Sequence, residues 1–208
     1  MRAEIANTAA IGIDIGGTNL RAARVSGHGH IEARLSERIV RDGAAVEARI
    51  AEMVAALRTP AVAAVGIGVP GRVDSSLRRV LSGGYLDLSG RPFAATIERA
   101  TGLTVHLDND CNMALVGEAA VGAGQGARNI VMFTIGTGIG GAILEDGTLL
   151  RGRMAAGQLG HLTVEVAGRP CACGRRGCVE TTSSGTALGR AVAEAGLPEG
   201  AGAEALIA

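Results

Sequence analysis

The chain has 208 residues, 47% of them hydrophobic, and a formal net charge of zero from 20 basic and 20 acidic side chains. This composition predicts a folded globular protein, and the balanced charge provides no long-range attraction to nucleic acid or to an anionic membrane. All 20 basic residues are arginine. The absence of lysine excludes a P-loop nucleotide site, a protein kinase and Schiff-base chemistry.

Predicted strands and helices alternate along the first part of the chain, which indicates the α/β class. Apolar runs at 11–15 and 20–25 flank a glycine turn and predict a β-hairpin. Apolar residues at helical spacing predict a helix over 44–57. The next predicted elements are a buried strand at 62–68, a helix over 93–100, a strand at 103–107 and a helix over 112–120.

A glycine-rich stretch at 122–128 is a candidate boundary between two domains, residues 1–121 and 122–208. Beyond this stretch, apolar runs at 129–135 and 139–145 flank a second glycine turn. Because the two hairpins share one design, we expect two related subdomains that face each other.

The two hairpin turns carry residue types that suit phosphate binding. Glycine allows backbone N–H groups to approach an anion closely, and a threonine hydroxyl adds a donor. Two such turns opposite each other would hold the phosphate tail of a nucleotide without a lysine, although each could also be an ordinary hairpin turn. The candidate residues are Asp14, Gly16, Gly17, Thr18 and Asn19 in the first turn, and Gly136, Thr137 and Gly138 in the second.

The segment 66–71 matches the G-x-G-x-x-G pattern of dinucleotide sites. Such a site requires a helix that begins at the glycines, but Val69 precedes Pro70 and is therefore biased away from helical geometry. We interpret this segment as a buried strand that ends in a tight turn.

Asn109 and Asp110 lie where a predicted strand ends and a predicted helix begins. One interpretation is structural, because Asp and Asn are preferred N-cap residues and Asp110 would cap the helix that follows. The other is catalytic: Asp110 would accept a proton from a substrate hydroxyl while Asn109 holds a neighbouring hydroxyl.

One histidine and three cysteines have a spacing typical of a zinc site, and they are His161, Cys171, Cys173 and Cys178. Such ligands suit tetrahedral Zn²⁺, and Gly174 and Gly177 would bend the loop so that the thiolates converge. A metal with every position filled by protein would be structural. Free buried thiols are the alternative, and this is the default interpretation for Cys111.

No segment resembles a signal peptide or a membrane-spanning helix. In a chain without an export signal, clustered cysteines favour a metal site over disulfides. We therefore expect a cytoplasmic protein that has no membrane partner.

Together these motifs resemble the ROK family of repressors and sugar kinases, within the actin/hexokinase-like superfamily. The resemblance implies the ribonuclease H-like, actin-like ATPase fold with two related subdomains. The second subdomain would be incomplete, because family members continue beyond the position of Ala208. The implied activity is ATP-dependent phosphorylation of a hexose or amino-sugar hydroxyl, as in glucokinases, fructokinases and N-acetylhexosamine kinases. The matching segments are 14–19, 109–110, 136–141, 157–161 and 171–180.

The resemblance also implies roles for single residues. Asp110 would be the general base, Asn109 would bind the sugar, and Asp14 would help to place Mg²⁺ beside ATP. His161 would bind zinc through one ring nitrogen and the sugar through the other, because metal binding fixes its orientation. Most sugar-phosphorylating relatives carry Glu where this chain has Gln158, so the glucose preference of the family is not carried over. The implied sugar-binding residues are Asn109, Gln158, His161 and Glu180.

Two other functions stay open. A sugar-sensing repressor of this family carries a DNA-binding segment ahead of the first phosphate motif, whereas 13 residues precede Asp14 here. We therefore expect no nucleic-acid partner. The other alternative is an inactive sugar-binding chain. The expected partners of a kinase are a small sugar and ATP, and the resemblance adds a homodimer, because relatives are often dimers.

Overall fold

The computed structural model describes residues 8–82 and 86–198. These residues form two compact units. The first unit contains the described residues up to Ala127 together with Arg151–Ala155, and the second contains Arg128–Leu150 and the described residues from Ala156 onward. The short segment Arg151–Ala155 thus belongs to the first unit although its chain neighbours belong to the second. The domain boundary predicted at residue 121 does not include this return of the chain to the first unit, and it stays a prediction.

The first unit is built on a five-stranded sheet beside a small two-stranded one. Its strands are β1 (Ala9–Ile15), β2 (Asn19–Ser26), β3 (Ile31–Arg38), β4 (Val62–Val69), β5 (Arg72–Val73), β6 (Val80–Ser82) and β7 (Thr104–Asn109). The large sheet has the order β3-β2-β1-β4-β7, and β5 pairs with β6. Strands β1, β2 and β3 are antiparallel neighbours, whereas β4 and β7 run parallel to β1. The first predicted hairpin is therefore confirmed.

The described part of the first unit also contains the helices α1 (Gly43–Leu57), α2 (Phe93–Thr101) and α3 (Asp110–Val121). Helices α1 and α2 contact each other, and α1 also contacts β1, β2 and β3. Residues alternate along β1, so that Ile11, Ile13 and Ile15 are buried in the core while the residues between them are not. Burying an aliphatic side chain of this size contributes about 1.5–3 kcal/mol before entropic costs. The predicted helices and the mixed α/β class are confirmed.

Helix α3 lies against β4 at two glycines. A methyl group on Gly66 would lie 3.1 Å from the Cε atom of Met113, and one on Gly68 would lie 3.1 Å from the Cα atom of Asp110. The glycines of the G-x-G-x-x-G pattern therefore allow the close approach of a helix. The interpretation of this segment as a buried strand that ends in a turn is confirmed, since β4 is followed by Gly71 at a φ of 88°.

The second unit has a three-stranded antiparallel sheet formed by β8 (Ile130–Ile135), β9 (Ile139–Glu145) and β10 (Thr148–Leu149). Its order is β10-β9-β8, which confirms the second predicted hairpin. The remaining elements are a 3₁₀ turn (Leu159–His161), α4 (Glu180–Ser183) and α5 (Gly185–Glu194). Among the described residues, no helix combines the length and the apolar character needed to cross a bilayer.

Candidate functional site

The turn between β1 and β2 is closed by a backbone hydrogen bond in which the N–H of Gly16 donates to the carbonyl of Asn19 at 3.0 Å. Gly17 and Thr18 are exposed at its tip. The carboxylate of Asp14 accepts a hydrogen bond from Nη1 of Arg21 at 3.0 Å, because the two residues are opposite each other in the strand register. Arg21 was not predicted to belong to the site. The pair is about half exposed on both sides, so it contributes little to stability and leaves Asp14 accessible.

The Asn-Asp turn joins β7 to α3 at the same end of the sheet. Asp14 of β1, Gly68 of β4 and Asp108 of β7 share one register line, and Asp110 follows two residues later. Asn109 is the N-cap residue: its Oδ1 accepts from the N–H groups of Cys111 and Asn112. The suggestion that Asp110 caps this helix is therefore corrected, because Asp110 is already its first residue.

Asp110 is partly buried. Burial raises the pKa of its carboxyl group above the ordinary value, and the negative charge of Asp14 adds to the increase. A hydrogen bond from the N–H of Cys111 at 2.8 Å acts in the opposite direction. A raised carboxylate pKa is typical of a group that exchanges protons near neutral pH.

This raised pKa makes a testable prediction about stability. A carboxyl group whose pKa is higher in the folded state favours folding below the pKa of the unfolded chain, about 3.9, and this advantage is lost as the pH rises through the folded value. We therefore expect Asp110→Asn to increase the free energy of unfolding at pH 7 relative to the wild type, and to lose that advantage near pH 4. Urea unfolding at both pH values measures the change.

Glu98→Gln is the control of opposite sign. A hydrogen bond from Arg78 lowers the pKa of Glu98, so its ionised form stabilises the fold above the pKa of the unfolded chain. The glutamine variant is expected to be less stable than the wild type at pH 7. If Asp110→Asn were destabilising at pH 7 to the same extent as Glu98→Gln, the carboxyl of Asp110 would not have a raised pKa.

The turn between β8 and β9 is held from two sides. Within the turn, the N–H of Gly136 donates to the carbonyl of Gly138 at 3.0 Å. The start of α5 also holds the turn. The N–H of Gly185 donates to the carbonyl of Gly136 at 2.8 Å, and the hydroxyl of Thr186 donates to the backbone carbonyl of Thr137 at 2.8 Å. The backbone carbonyls of this turn are thus occupied by protein donors, while Gly136 and Thr137 remain exposed.

The predicted metal ligands converge in the second unit. The ligand atoms of His161, Cys171, Cys173 and Cys178 all lie within 4.8 Å of one another. Sγ of Cys171 is 3.6 Å from Nδ1 of His161, and Sγ of Cys173 is 3.6 Å from Sγ of Cys178. Ligands on a tetrahedron with Zn–S bonds of about 2.3 Å are separated by about 3.8 Å, so the donor set and its spacing fit Zn²⁺.

The loop that carries the cysteines has the two bends that we predicted. Gly174 and Gly177 have φ values of 87° and 66°, in the left-handed region that favours glycine. A backbone hydrogen bond from Arg175 lowers the pKa of the Cys173 thiol to about 7. Burial raises the pKa of Cys178 to about 11. A cation at the centre would offset the cost of a buried thiolate, which is a further reason why these residues fit a metal.

His161 lies at the end of the 3₁₀ turn and presents Nδ1 to the cysteines. Its Nε2 is therefore the nitrogen left for a second partner, as the resemblance implies. Gln158 precedes the turn and is exposed, and its side chain makes no capping hydrogen bond.

Glu180 begins α4, two residues after Cys178. Its side chain also makes a contact within the protein that the sequence did not predict. Its Oε2 accepts a hydrogen bond from the N–H of Ile139 at 2.9 Å, directly after the second glycine turn. A methyl group on Gly138 would lie 2.4 Å from the same oxygen. Glu180 thus connects the cysteine loop to the second glycine turn, a contact that sequence separation alone does not reveal.

Gly160, next to His161, is tightly packed against Ile139 of β9, the residue that Glu180 also contacts. A methyl group at Gly160 would lie 1.9 Å from the carbonyl oxygen of Ile139. We expect Gly160→Ala to lower the free energy of unfolding by about 1–3 kcal/mol, because backbone must move to accept the methyl group. Gly189→Ala is the control: it lies in α5 with nothing within 4 Å, so it is expected to be neutral or stabilising. Thermal unfolding of both variants measures the difference, and equal stability would contradict the packing.

The structure thus brings Asp14 and Asp110 together at one end of the first sheet. In the second unit it brings the second glycine turn, Glu180 and the cluster of His161 and the cysteines together. Each of the two compact units contains a β-sheet and helices, and each bears a hairpin with a glycine turn.

Comparison with known proteins identifies the family. The ROK family model matches residues 10–206, and the chain belongs to the ROK family. It is 40% identical over 189 residues to a glucokinase of Thermotoga maritima, covering 88% of this chain and 60% of that protein. It is 36% identical over 188 residues to an N-acetylmannosamine kinase of Citrobacter koseri, covering 87% and 63%.

A solved structure supports the same assignment. The ROK family glucokinase of Streptomyces griseus, crystallised in complex with glucose and AMPPNP, superimposes with a TM-score of 0.79 at 38% sequence identity. The match covers 88% of this chain and 59% of that one. The chain is therefore a homologue of ROK sugar kinases that spans about 60% of their length. The cluster of His161 and the three cysteines is typical of the zinc motif of this family.

Proposed function

We propose that the protein catalyses ATP-dependent phosphorylation of a hexose or amino-sugar hydroxyl, with Asp110 as the general base. The observation that carries this proposal is the position of Asp110 at the end of the sheet that also holds Asp14 and the first glycine turn, with a raised pKa. The similarity to glucokinases and to an N-acetylmannosamine kinase supports the sugar-kinase class.

In the proposed reaction, the hydroxyl oxygen of the sugar attacks the γ-phosphorus of ATP. The bond to the bridging oxygen breaks, ADP leaves, and the hydroxyl proton passes to the carboxylate of Asp110. Positioning and electrostatic stabilisation supply most of the catalysis in such a transfer. Asn109 would bind a second sugar hydroxyl through an amide that already donates to the carbonyl of Gly71 at 2.9 Å.

The phosphate groups would be bound by the exposed backbone of Gly17, Thr18, Gly136 and Thr137, with Gly16, Asn19 and Gly138 shaping the two turns. Asp14 is accessible and carries the charge that a hydrated Mg²⁺ prefers. A bound Mg²⁺ would neutralise charge on the phosphates. Asp14 would orient its water ligands, and its ion pair with Arg21 restrains the carboxylate for that role.

For the metal centre we propose a structural Zn²⁺ held by His161, Cys171, Cys173 and Cys178. Zinc would supply a fixed tetrahedral junction and no reactive water, since every position is filled by protein. With Nδ1 of His161 on the metal, Nε2 would face the sugar, and Gln158 and Glu180 would add further sugar contacts. Gln158 offers both a donor and an acceptor, whereas the Glu of most relatives offers acceptors only, so the preferred sugar need not be glucose.

A panel of hexoses and amino sugars tests this function. Purified protein with ATP and Mg²⁺ is expected to release ADP only when a suitable sugar is present, as followed by a coupled assay. If ATP and Mg²⁺ bind but no sugar elicits ADP release, the protein is not a sugar kinase. Calorimetry with sugar alone then identifies an inactive sugar-binding chain, and salt-sensitive, sequence-specific DNA binding in a gel shift would identify a regulator.

A further inference from the structure

A buried carboxylate lies directly before the Asn-Asp turn. The side chain of Asp108 is only 4% exposed, and both of its oxygens are occupied. Oδ1 accepts from the N–H of Asn109 at 2.7 Å and from Nδ2 of Asn112 at 2.9 Å. Oδ2 accepts from Nε of Arg151 at 2.9 Å and lies 2.8 Å from its Nη2.

Arg151 begins the segment Arg151–Ala155, the return of the chain to the first unit. It lies 43 residues beyond Asp108, and its guanidinium neutralises a charge that would otherwise be buried alone. Without Arg151 the buried carboxylate of Asp108 would have no cationic partner, and burial of an unpaired charge is strongly unfavourable. A movement of this carboxylate toward water would break the hydrogen bonds from Asn109 and Asn112, so these bonds depend on Arg151.

The contacts of Asp108 fix the residues on both sides of Asp110. They hold the backbone N–H of Asn109 before it and the side chain of Asn112 after it. Asn109 in turn caps the first N–H groups of α3 and donates to Gly71. Asp110 therefore has little freedom to rotate with the turn, and its backbone also lies against Gly68.

We propose that Asp108 and Arg151 are positioning residues that set the orientation of Asp110 for proton transfer. This inference rests on the proposed function, and neither residue touches the reacting atoms. Because a displacement of about 1 Å at a reacting group can reduce the rate by about a hundredfold, a pair that restrains the base acts on kcat rather than on substrate affinity.

A second ion pair of the first unit provides a matched control. Arg91 and Glu47 have side-chain exposures of 34% and 7%, against 35% and 4% for Arg151 and Asp108. Arg91 donates through Nε and Nη2 to the two oxygens of Glu47, and Arg151 has its Nε and Nη2 within 2.9 Å of one oxygen of Asp108. The Arg91 pair joins α1 to the segment before α2, whereas the Arg151 pair joins the end of β7 to the segment Arg151–Ala155.

The experiment compares Arg151→Met with Arg91→Met, and includes Arg151→Lys as a milder variant should the methionine variant fail to fold. We expect both methionine variants to lose thermal stability to a similar extent. Arg151→Met is expected to lower kcat about ten- to a hundredfold with less than about a threefold change in the KM for ATP. Arg151→Lys is expected to recover part of kcat, and Arg91→Met to retain kcat at the wild-type value.

Equal kcat values for Arg151→Met and Arg91→Met would show that Asp108 and Arg151 form only a structural ion pair, and would overturn the proposal. Amide hydrogen exchange separates this failure from failure of the proposed function. In Arg151→Met the amides of Asn109 and Asn112 are expected to exchange faster than in Arg91→Met, whether or not a sugar is phosphorylated. Unchanged exchange at both amides would show that Arg151 does not hold the Asn-Asp turn, whichever reaction the protein catalyses.

Discussion

Replacement of Asp110 by alanine is expected to reduce sugar-dependent phosphoryl transfer by about 10²- to 10⁴-fold, the usual contribution of a general base. In the proposed mechanism the carboxylate of Asp110 accepts the proton that the sugar hydroxyl loses, while the neighbouring carboxylate of Asp14 serves the bound Mg²⁺ instead. The expected change is in kcat, with sugar affinity and folding largely retained. Steady-state kinetics with the sugar that the panel identifies, together with calorimetry, measure both quantities.

Asp42→Ala is the matched control for this variant. Asp42 caps α1, and its side chain accepts from the N–H of Ala45 at 2.7 Å. Loss of this cap is expected to lower the free energy of unfolding by about 1 kcal/mol and to leave the turnover rate unchanged. If Asp110→Ala behaved in the same way, with full turnover and a small loss of stability, Asp110 would be only a structural residue at the start of α3.

Replacement of Cys173 by serine is expected to release one zinc ion per chain and to lower the melting temperature. Cys173 is the exposed cysteine of the cluster, so serine at this position creates no cavity in the core. Any large loss of stability therefore reports on the metal, since a structural zinc site contributes folding energy directly. Elemental analysis of the native protein and the variant, followed by thermal unfolding, measures both effects.

Cys111→Ser is the control, because Cys111 lies at the start of α3, outside the cluster, and this variant is expected to retain its zinc. Metal loss is also expected to raise the KM for ATP. Glu180 and Gly160, neighbours of the metal ligands, both contact Ile139 at the end of the second glycine turn, so a loosened loop would loosen the turn. Native protein without zinc, or a Cys173→Ser variant with unchanged metal and stability, would contradict the proposed centre.

Local sequence patterns predicted several elements. Strand β1 and helix α1 carry buried apolar residues at the period of their structure, and β4 is a short run of mostly apolar residues and glycine, buried at its end. Strand β3 was not predicted, since it lies at the edge of the sheet and all of its residues are exposed or only partly buried. Its conformation depends on pairing with β2, which is a contact between segments rather than a local preference.

Among the site residues, too, local sequence patterns predicted some features, whereas contacts between distant segments were missed. The cysteine spacing identified the metal cluster because its ligands are close in sequence. The pair of Asp14 and Arg21 was missed but follows from the register of the predicted hairpin, which places the two residues opposite each other. The contact between Asp108 and Arg151, and that between Glu180 and Ile139, join residues separated by 43 and 41 positions. No local pattern encodes such pairs, so they required the folded structure.

In the proposed mechanism, Asp110 deprotonates a sugar hydroxyl as the γ-phosphate of ATP is transferred to it. The most direct measurement is ³¹P NMR of the products formed from ATP, Mg²⁺ and the sugar by the wild type and by Asp110→Asn, the variant closest in shape. We predict a sugar phosphate ester with the wild type and almost none with Asp110→Asn, while calorimetry shows that the variant still binds the sugar. Formation of the ester by the variant at the wild-type rate, or of inorganic phosphate alone by the wild type, would contradict the claim.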